Sequence, residues 1–327
     1  MSTAISLFCP AKLNLHLDIG ALRQDGYHEL RSLFQMISLG DEMLLSGGEP
    51  DGECVVEGDF GARPEENIIT AAYRLYCERT GLREGIRVQV NKQIPEGAGL
   101  GGGSSNAAAA LRLLDAYFKN GLPAEELLQM GAQLGSDVPF FMGPAAALVS
   151  GRGEQVEAVP PRTEWELLVV QPDFAVSTGA AYRWLDERRS GSLGASAVSG
   201  ESGGSGAPQA SAVPDTSGAS GVQAVEEGSL SAEELKRRYA ALSPAQWGFF
   251  NSFSPVLGER FPFYERFFSR CNATQALYAN ISGSGSAAFA LFPGETSRDA
   301  CYLSLREEIK KGWKVKMLAS SPMPVYN

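Results

Sequence analysis

Histidine is almost missing from this chain: His16 and His28 are the only two in 327 residues. Histidine-rich metal sites and most imidazole acid–base chemistry therefore have little material to work with. Cysteine is sparse too. Cys9, Cys54, Cys77, Cys271 and Cys301 are odd in number, far apart and free of any C-x-x-C pair. That spacing speaks against a zinc site or a disulfide framework and suits a reducing compartment, so a cytoplasmic location is expected. Positive charge is also short, with 28 Lys and Arg against 38 Asp and Glu and a net charge of −10. An acidic chain is a poor partner for nucleic acid or an anionic membrane. A nucleotide stays open, because backbone N–H groups can hold a phosphate inside an acidic protein. No stretch approaches about 18 uninterrupted apolar residues, and no basic segment followed by an apolar run opens the chain, so a soluble intracellular protein is expected.

What is present is an apolar share of 44 %, enough to bury a core, over a length that accommodates two domains. The first ~45 residues read as strands and turns: Leu13, Leu15 and Leu17 alternate with Asn14, His16 and Asp18, the period of a half-buried strand. Ile68, Ala71, Ala72 and Leu75 are spaced for an amphipathic helix ending near Gly81, and Ile86, Val88 and Val90 alternate for a strand. From Asn106 the run AAAALRLLDAYF predicts a helix, Pro123 opens another over 124–134, and further helices are expected over 233–242, 261–270 and 298–311, with a strand over 287–292. Between Ser190 and Ala232 the composition turns to Gly, Ser, Ala and Val, without aromatic or basic residues. Such a segment cannot offset its ordering entropy, and a flexible insertion is expected there.

The strongest chemical signal is Pro95-Glu96-Gly97-Ala98-Gly99-Leu100-Gly101-Gly102-Gly103-Ser104-Ser105, feeding the helix at Asn106. Five glycines let backbone approach an anion closely, and the first turn of the helix offers N–H groups and the positive end of its dipole. Ser104 or Ser105 could cap the helix or reach a phosphate oxygen or Mg²⁺. Gly97, Gly99 and Gly102 satisfy G-x-G-x-x-G, yet Lys119-Asn120-Gly121 leads into another helix where a dinucleotide fold needs a strand. A P-loop needs Lys before the final Ser/Thr, and Gly103 stands there. This is a third kind of phosphate loop.

Taken with Pro10-Ala11-Lys12-Leu13-Asn14-Leu15, Gly135-Ser136-Asp137-Val138-Pro139-Phe140-Phe141 and Ser282-Gly283-Ser284-Gly285, the loop resembles the GHMP kinase superfamily. Asp25-Gly26-Tyr27-His28-Glu29-Leu30 narrows the resemblance to its 4-diphosphocytidyl-2-C-methyl-D-erythritol kinases, of the non-mevalonate isoprenoid pathway. The resemblance implies an α+β fold of two domains: residues 1–160, mixed α and β with the phosphate loop, and residues 161–327, ferredoxin-like and carrying the 190–232 insertion. It implies ATP as phosphoryl donor with Mg²⁺ and a small cytidine-diphosphate acceptor phosphorylated at its 2-hydroxyl; the oligomeric state stays open between monomer and homodimer. By the same resemblance Asp137 is the base and Lys12 its partner. Asn14, Tyr27, His28, Thr178, Tyr182, Gly283, Ser284 and Gly285 contact the acceptor, and Lys92 and Asn67 lie near the adenosine. Outside the resemblance, Asp137 also reads as a turn or cap residue and Lys12 as a strand charge. The chain departs from the family pattern at Asn251-Ser252-Phe253-Ser254, where relatives often carry Asn-Asp-x-Glu, so a metal or substrate role for that segment is in doubt. The competing readings are a homoserine or mevalonate-type kinase of the same fold, against which Tyr27-His28 speaks, and a non-catalytic ATP sensor.

Overall fold

The computed structural model describes residues 4–60, 67–197 and 229–326. The chain opens with two long strands, β1 (Ile5–Leu22) and β2 (His28–Glu49), followed by β3 (Cys54–Gly58), α1 (Ile68–Thr80) and β4 (Gly85–Asn91). After the glycine loop come α2 (Gly102–Phe118), α3 (Ala124–Leu134) and the single turn α4 (Val138–Phe141), then the hairpin β5 (Ala146–Gly151) and β6 (Gln155–Ala158). The remainder is β7 (Glu166–Gln171), α5 (Thr178–Ala197), α6 (Ala232–Ala241), α7 (Ser254–Arg260) and α8 (Pro262–Ala273). It ends with β8 (Tyr278–Ile281), β9 (Ala288–Phe292), α9 (Glu295–Leu305), β10 (Lys311–Val315) and β11 (Val325–Tyr326).

Two sheets organise these elements. The first runs β11-β1-β2-β4-β3, with β5 paired to β2 and β6 to β5; only the β3–β4 pair is parallel. The second is the antiparallel order β10-β7-β9-β8. This is an α+β fold. Period-2 alternation assigns each strand of the second sheet to two cores. Leu167 and Val169 face a central core shared with Leu13, Leu15 and Trp247, whereas Leu168 and Val170 face Phe267, Leu257 and Leu305 under the helices. A third core packs α1, α2 and α3 on the far side of the first sheet, through Tyr76, Leu111 and Leu114. Among the described residues no helix is long and apolar enough to cross a membrane.

Local chemistry accounts for several boundaries. The Asn67 side chain accepts from Ile69 N at 2.9 Å and starts α1, and Gly81, at φ 75°, stops it by returning its N–H to Cys77 O. Glu125 and Glu126 sit in the first turn of α3, favourable to its dipole, and Gly135 ends it.

Elsewhere the structure corrects the expectations. The segments read separately over the first ~45 residues are one continuous hairpin, because bulges at Pro10/Ala11, Asn14/His16 and Ile19/Leu22 absorb the breaks in period. Helix α2 begins at Gly102 rather than near Asn106, and Gly101 is its N-cap without any side-chain cap. Neither Ser104 nor Ser105 caps it; both lie inside the first turns. The last helix stops at Leu305, and Lys311–Val315 form β10 against β7.

Residues 190–197 and 229–232 of the flexible segment expected over 190–232 are described, and both stretches are ordered parts of the fold. α5 carries on to Ala197, with Ser190 Oγ bonded back to the Asp186 carbonyl at 2.8 Å, so a serine-rich run is no bar to helix here. At the other end Ser231 caps α6, and Leu230 packs on the central core. Residues 198–228 of that expectation lie outside the described residues.

Candidate active site

The glycine loop joins β4 to α2 and lines a cavity of about 430 Å³ with Phe60, Asn67 and Lys92. Its glycines answer close approaches. A Cβ at Gly101, where φ is 73°, would meet the Phe141 ring at 2.8 Å and Lys12 Cγ at 3.0 Å. The loop is held from β1 by Lys12 N donating to Leu100 O at 2.9 Å. Ser105 is buried and its Oγ has no hydrogen-bond partner, while Ser104 is half-buried beside it.

Lys12 sits on the same strand, buried, with its ammonium reaching three neighbours. Nζ donates to Asn14 Oδ1 at 2.6 Å, lies 3.5 Å from Asp137 Oδ2, and stands 4.5 Å over the Phe34 ring. The pairing with Asn14 follows from i, i+2 placement on one strand face. Asn14 is locked in turn, giving Nδ2–H to Ser32 Oγ at 3.0 Å. Burial pushes the Lys12 ammonium below its ordinary range, and the Asp137 carboxylate partly restores it. Asp137 does occupy the N-cap position of α4, yet its side chain makes no cap hydrogen bond there. Its carboxylate points to Lys12 instead.

A second glycine turn meets the loop from the other sheet. Ser282 Oγ donates to Gly99 O at 3.0 Å and Ala287 N to Ala98 O at 3.1 Å. Gly283 and Gly285 have φ of 56° and 83°. Ser284 Oγ lies 3.1 Å from Thr178 Oγ1, which brings the first residue of α5 to this turn.

At the tip of the β1–β2 hairpin, the His28 ring lies 5.1 Å from the Tyr182 ring, tilted by 30°. His28 Nδ1 faces Gly20 O at 3.1 Å, and Nε2 is 3.4 Å from Asp186 Oδ2 one turn along α5. Tyr182 also packs edge-on against Phe253 at 5.0 Å. Its hydroxyl is held above the usual phenol range first by burial, then by the Asp137 and Asp186 carboxylates, so the aromatic wall and the Lys12–Asp137 pair share one electrostatic neighbourhood. Tyr27 is different: 57 % exposed, with the Arg152 guanidinium 5.2 Å from its ring.

Known proteins match along most of this chain. The descriptions "GHMP kinases N terminal domain" and "GHMP kinases C terminal" match residues 67–143 and 230–311. A 4-diphosphocytidyl-2-C-methyl-D-erythritol kinase of Treponema pallidum is 36 % identical over 292 residues, 89 % of this chain and 91 % of that protein. The chain belongs to this family of GHMP kinases. A second relative of the same name, from Anaeromyxobacter dehalogenans, is 34 % identical over 93 % of this chain and 85 % of its own. A crystal structure of 4-(cytidine 5'-diphospho)-2C-methyl-D-erythritol kinase superposes with a TM-score of 0.71 at 28 % identity, covering 95 % of this chain and 98 % of the other.

For a GHMP kinase, the two residues expected near an adenosine carry structural duties as well. Asn67 spends its side chain on the cap of α1, and Lys92 forms an ion pair with Asp41 at 2.7 Å; both line the loop cavity, Asn67 buried and Lys92 half-buried. The serines at the departure from the family pattern are also employed. Ser252 Oγ accepts from Ile19 N at 3.0 Å, and Ser254 Oγ bonds Asn280 Oδ1 at 3.2 Å. Asn251, the one residue of that segment that keeps the family pattern, donates its Nδ2 protons to both Ile281 O and Gly283 O at 2.8 Å and so braces the second glycine turn, a role that the sequence reading did not give it. Ser32 and Asp186 were missed altogether. Each acts across a long sequence separation, for which no local pattern exists.

Proposed function

We propose that this chain transfers the γ-phosphoryl group of ATP to the 2-hydroxyl of 4-diphosphocytidyl-2-C-methyl-D-erythritol, a step of isoprenoid precursor synthesis. The observation that carries the reading is the Lys12–Asp137 pair, 3.5 Å apart and tied to the glycine loop by Lys12 N. Asp137 accepts the proton of the acceptor hydroxyl as its oxygen attacks the γ-phosphorus and the bond to the β–γ bridging oxygen breaks. Lys12 offsets charge on the attacking oxygen and the phosphoryl group. The loop and the first turn of α2 hold the remaining phosphates through backbone N–H groups. Among the described residues no group of three or more His, Cys, Asp or Glu stands ready to hold Mg²⁺ by protein side chains alone. The ion would be held chiefly by the nucleotide, with Ser104 or the unpartnered Ser105 hydroxyl beside it, and would supply charge neutralisation.

The acceptor's base is assigned to Tyr27, His28 and Tyr182, with Asn14, Thr178 and the Gly283–Gly285 turn along the path to the transferred phosphoryl group. The proposed division between domains stays at 160/161, a position that falls in the link from β6 to β7, and β11 returns from the second domain to pair with β1. Purified chain, ATP and three candidate acceptors test the reading. Phosphorylation of the cytidine-diphosphate substrate, with none of homoserine or mevalonate, is expected. Turnover of either small alcohol instead, or ATP binding without transfer to any acceptor, would overturn it.

A further inference from the structure

Asp41 is a fully buried carboxylate on β2 that the phosphoryl transfer above does not use. It accepts four hydrogen bonds, two on each oxygen. Oδ1 takes Gln93 N at 2.7 Å and Ile94 N at 2.8 Å; Oδ2 takes Lys92 Nζ at 2.7 Å and Asn106 Nδ2 at 2.9 Å. This fills the acceptor capacity of an ionised carboxylate. The donors bracket the glycine loop, three of them immediately before Pro95 and one immediately after Ser105.

The sheet explains why such a contact is needed. The β2–β4 ladder ends at the pair Glu42–Asn91, so the backbone N–H groups of Gln93 and Ile94 have no strand partner. Asp41, the next residue on β2, supplies one from its side chain. Beyond Ile94 the loop is rich in glycine, and glycine retains the widest backbone freedom when nothing fixes it. A single carboxylate thus ties the end of the incoming strand to the first turns of α2. It also fixes Lys92, whose ammonium gives one proton to Asp41 and another to Ile94 O at 3.0 Å and has a third for the cavity that it lines.

We infer that Asp41 is a positioning residue for the nucleotide, setting the mouth of the phosphate loop and aiming Lys92 into it. The inference rests on the ATP reading of that loop. Charge and geometry oppose each other here. Removing a negative charge near bound phosphates would tighten nucleotide binding, whereas losing the tie would loosen it. An amide at this position sets its NH₂ against the Lys92 and Asn106 donors, so geometry dominates and binding weakens.

Calorimetric titration of ATP, and steady-state kinetics, on the full chain and on Asp41→Asn test this. Asn106→Ala, which removes one of the four bonds, serves if the first variant does not fold. Asp41→Asn should weaken ATP binding and raise KM for ATP by about tenfold or more, the scale of lost hydrogen bonds to a charged group. Its kcat and its KM for the cytidine substrate should stay close to wild type. Asn106→Ala should show the same split at a few-fold. A general loss of packing would move both KM values and kcat together, and that outcome overturns the inference, as does unchanged or tighter ATP binding. A wild-type chain that binds no ATP overturns the nucleotide reading and this inference with it. Variants that bind as well as a binding wild type overturn the inference alone.

Discussion

Gly99 and Ser282 meet backbone to backbone: a Cβ on Gly99 would stand 2.1 Å from the Ser282 carbonyl oxygen and 3.1 Å from that of Gly285. The phosphate loop and the second glycine turn are therefore packed as one surface, and the two sheets cannot shift independently at this point. Gly99→Ala meets both the clash and a φ of 77°, so it should be strongly destabilising and should separate the two turns. Gly97→Ala shares the positive φ, at 65°, but has open space, and should cost only about 1–2 kcal/mol. Gly103→Ala has open space and helical backbone, and should stabilise by roughly 0.5–1 kcal/mol. Thermal unfolding of the three variants checks the ranking. Equal losses at Gly97 and Gly99 would refute the close packing.

These contacts mark the boundary of what the sequence makes legible. The helices at 68–80 and 124–134 were readable because period, cap and stop signal coincide at Asn67, Gly81, Pro123 and Gly135. The glycine loop was readable because its composition has no other use. The long hairpin was not, since a bulge hides the strand period from a local reading. The pairing of Lys12 with Asn14 follows from strand geometry, but Asp137 reaches Lys12 from 125 positions away, and only the resemblance joined them. Asp41, Ser32 and Asp186 act on backbone or on other side chains across the fold, where a single sequence carries no trace.

The Lys12–Asp137 pair predicts a linked kinetic and pH effect. Asp137→Asn should lower kcat by roughly 10²–10⁴-fold, the scale of a lost general base. Burial already depresses Lys12 below 10.5, and Asp137 opposes that depression. The wild-type alkaline limb, where the ammonium is lost, should accordingly lie below 10.5, and residual activity of Asp137→Asn should fall at still lower pH. The stability sign is opposite. The unfolded chain holds the Lys12 proton to higher pH than the fold does, so the lysine's penalty on folding fades as pH rises from the folded value to the ordinary one. Profiles of kcat/KM against pH for both proteins check the shift. An unmoved alkaline limb would separate the two residues.

Tyr27 and Tyr182 should differ in what their loss costs. Each is expected to stack a base, worth roughly 1–3 kcal/mol by analogy with nucleic-acid platforms. Tyr27 is exposed and touches little beyond Arg152, so Tyr27→Ala should raise KM for the cytidine substrate and leave unfolding unchanged. Tyr182 packs on His28 and Phe253, so Tyr182→Ala should raise the same KM and lower the melting temperature too. KM for ATP should hold in both. Kinetics with each substrate varied, beside thermal scans, separate the roles, and a Tyr27 variant with normal acceptor KM would place the base elsewhere.

His16 carries the last prediction, on acid stability. Its ring is fully buried between Phe249 and Phe250, with centroids at 5.6 and 4.6 Å. Nδ1 accepts from Phe250 N at 3.3 Å, and Nε2 has no partner. Burial, with the Arg31 charge behind it, pushes the imidazole from 6.5 down to about 3. Below 6.5 the unfolded chain therefore takes up a proton that the fold refuses until about 3, and stability drains away as pH falls through that window. At 1.36 kcal/mol per unit, the loss from this one group is roughly 3 kcal/mol by pH 4. Carboxylates titrate over the same range, so the test is a difference. His16→Phe keeps an aromatic ring in the site and cannot take up a proton. Urea midpoints for both proteins, measured from pH 7 to pH 4, should diverge with the wild type falling faster. Parallel curves would mean that His16 keeps an ordinary affinity for protons inside the fold.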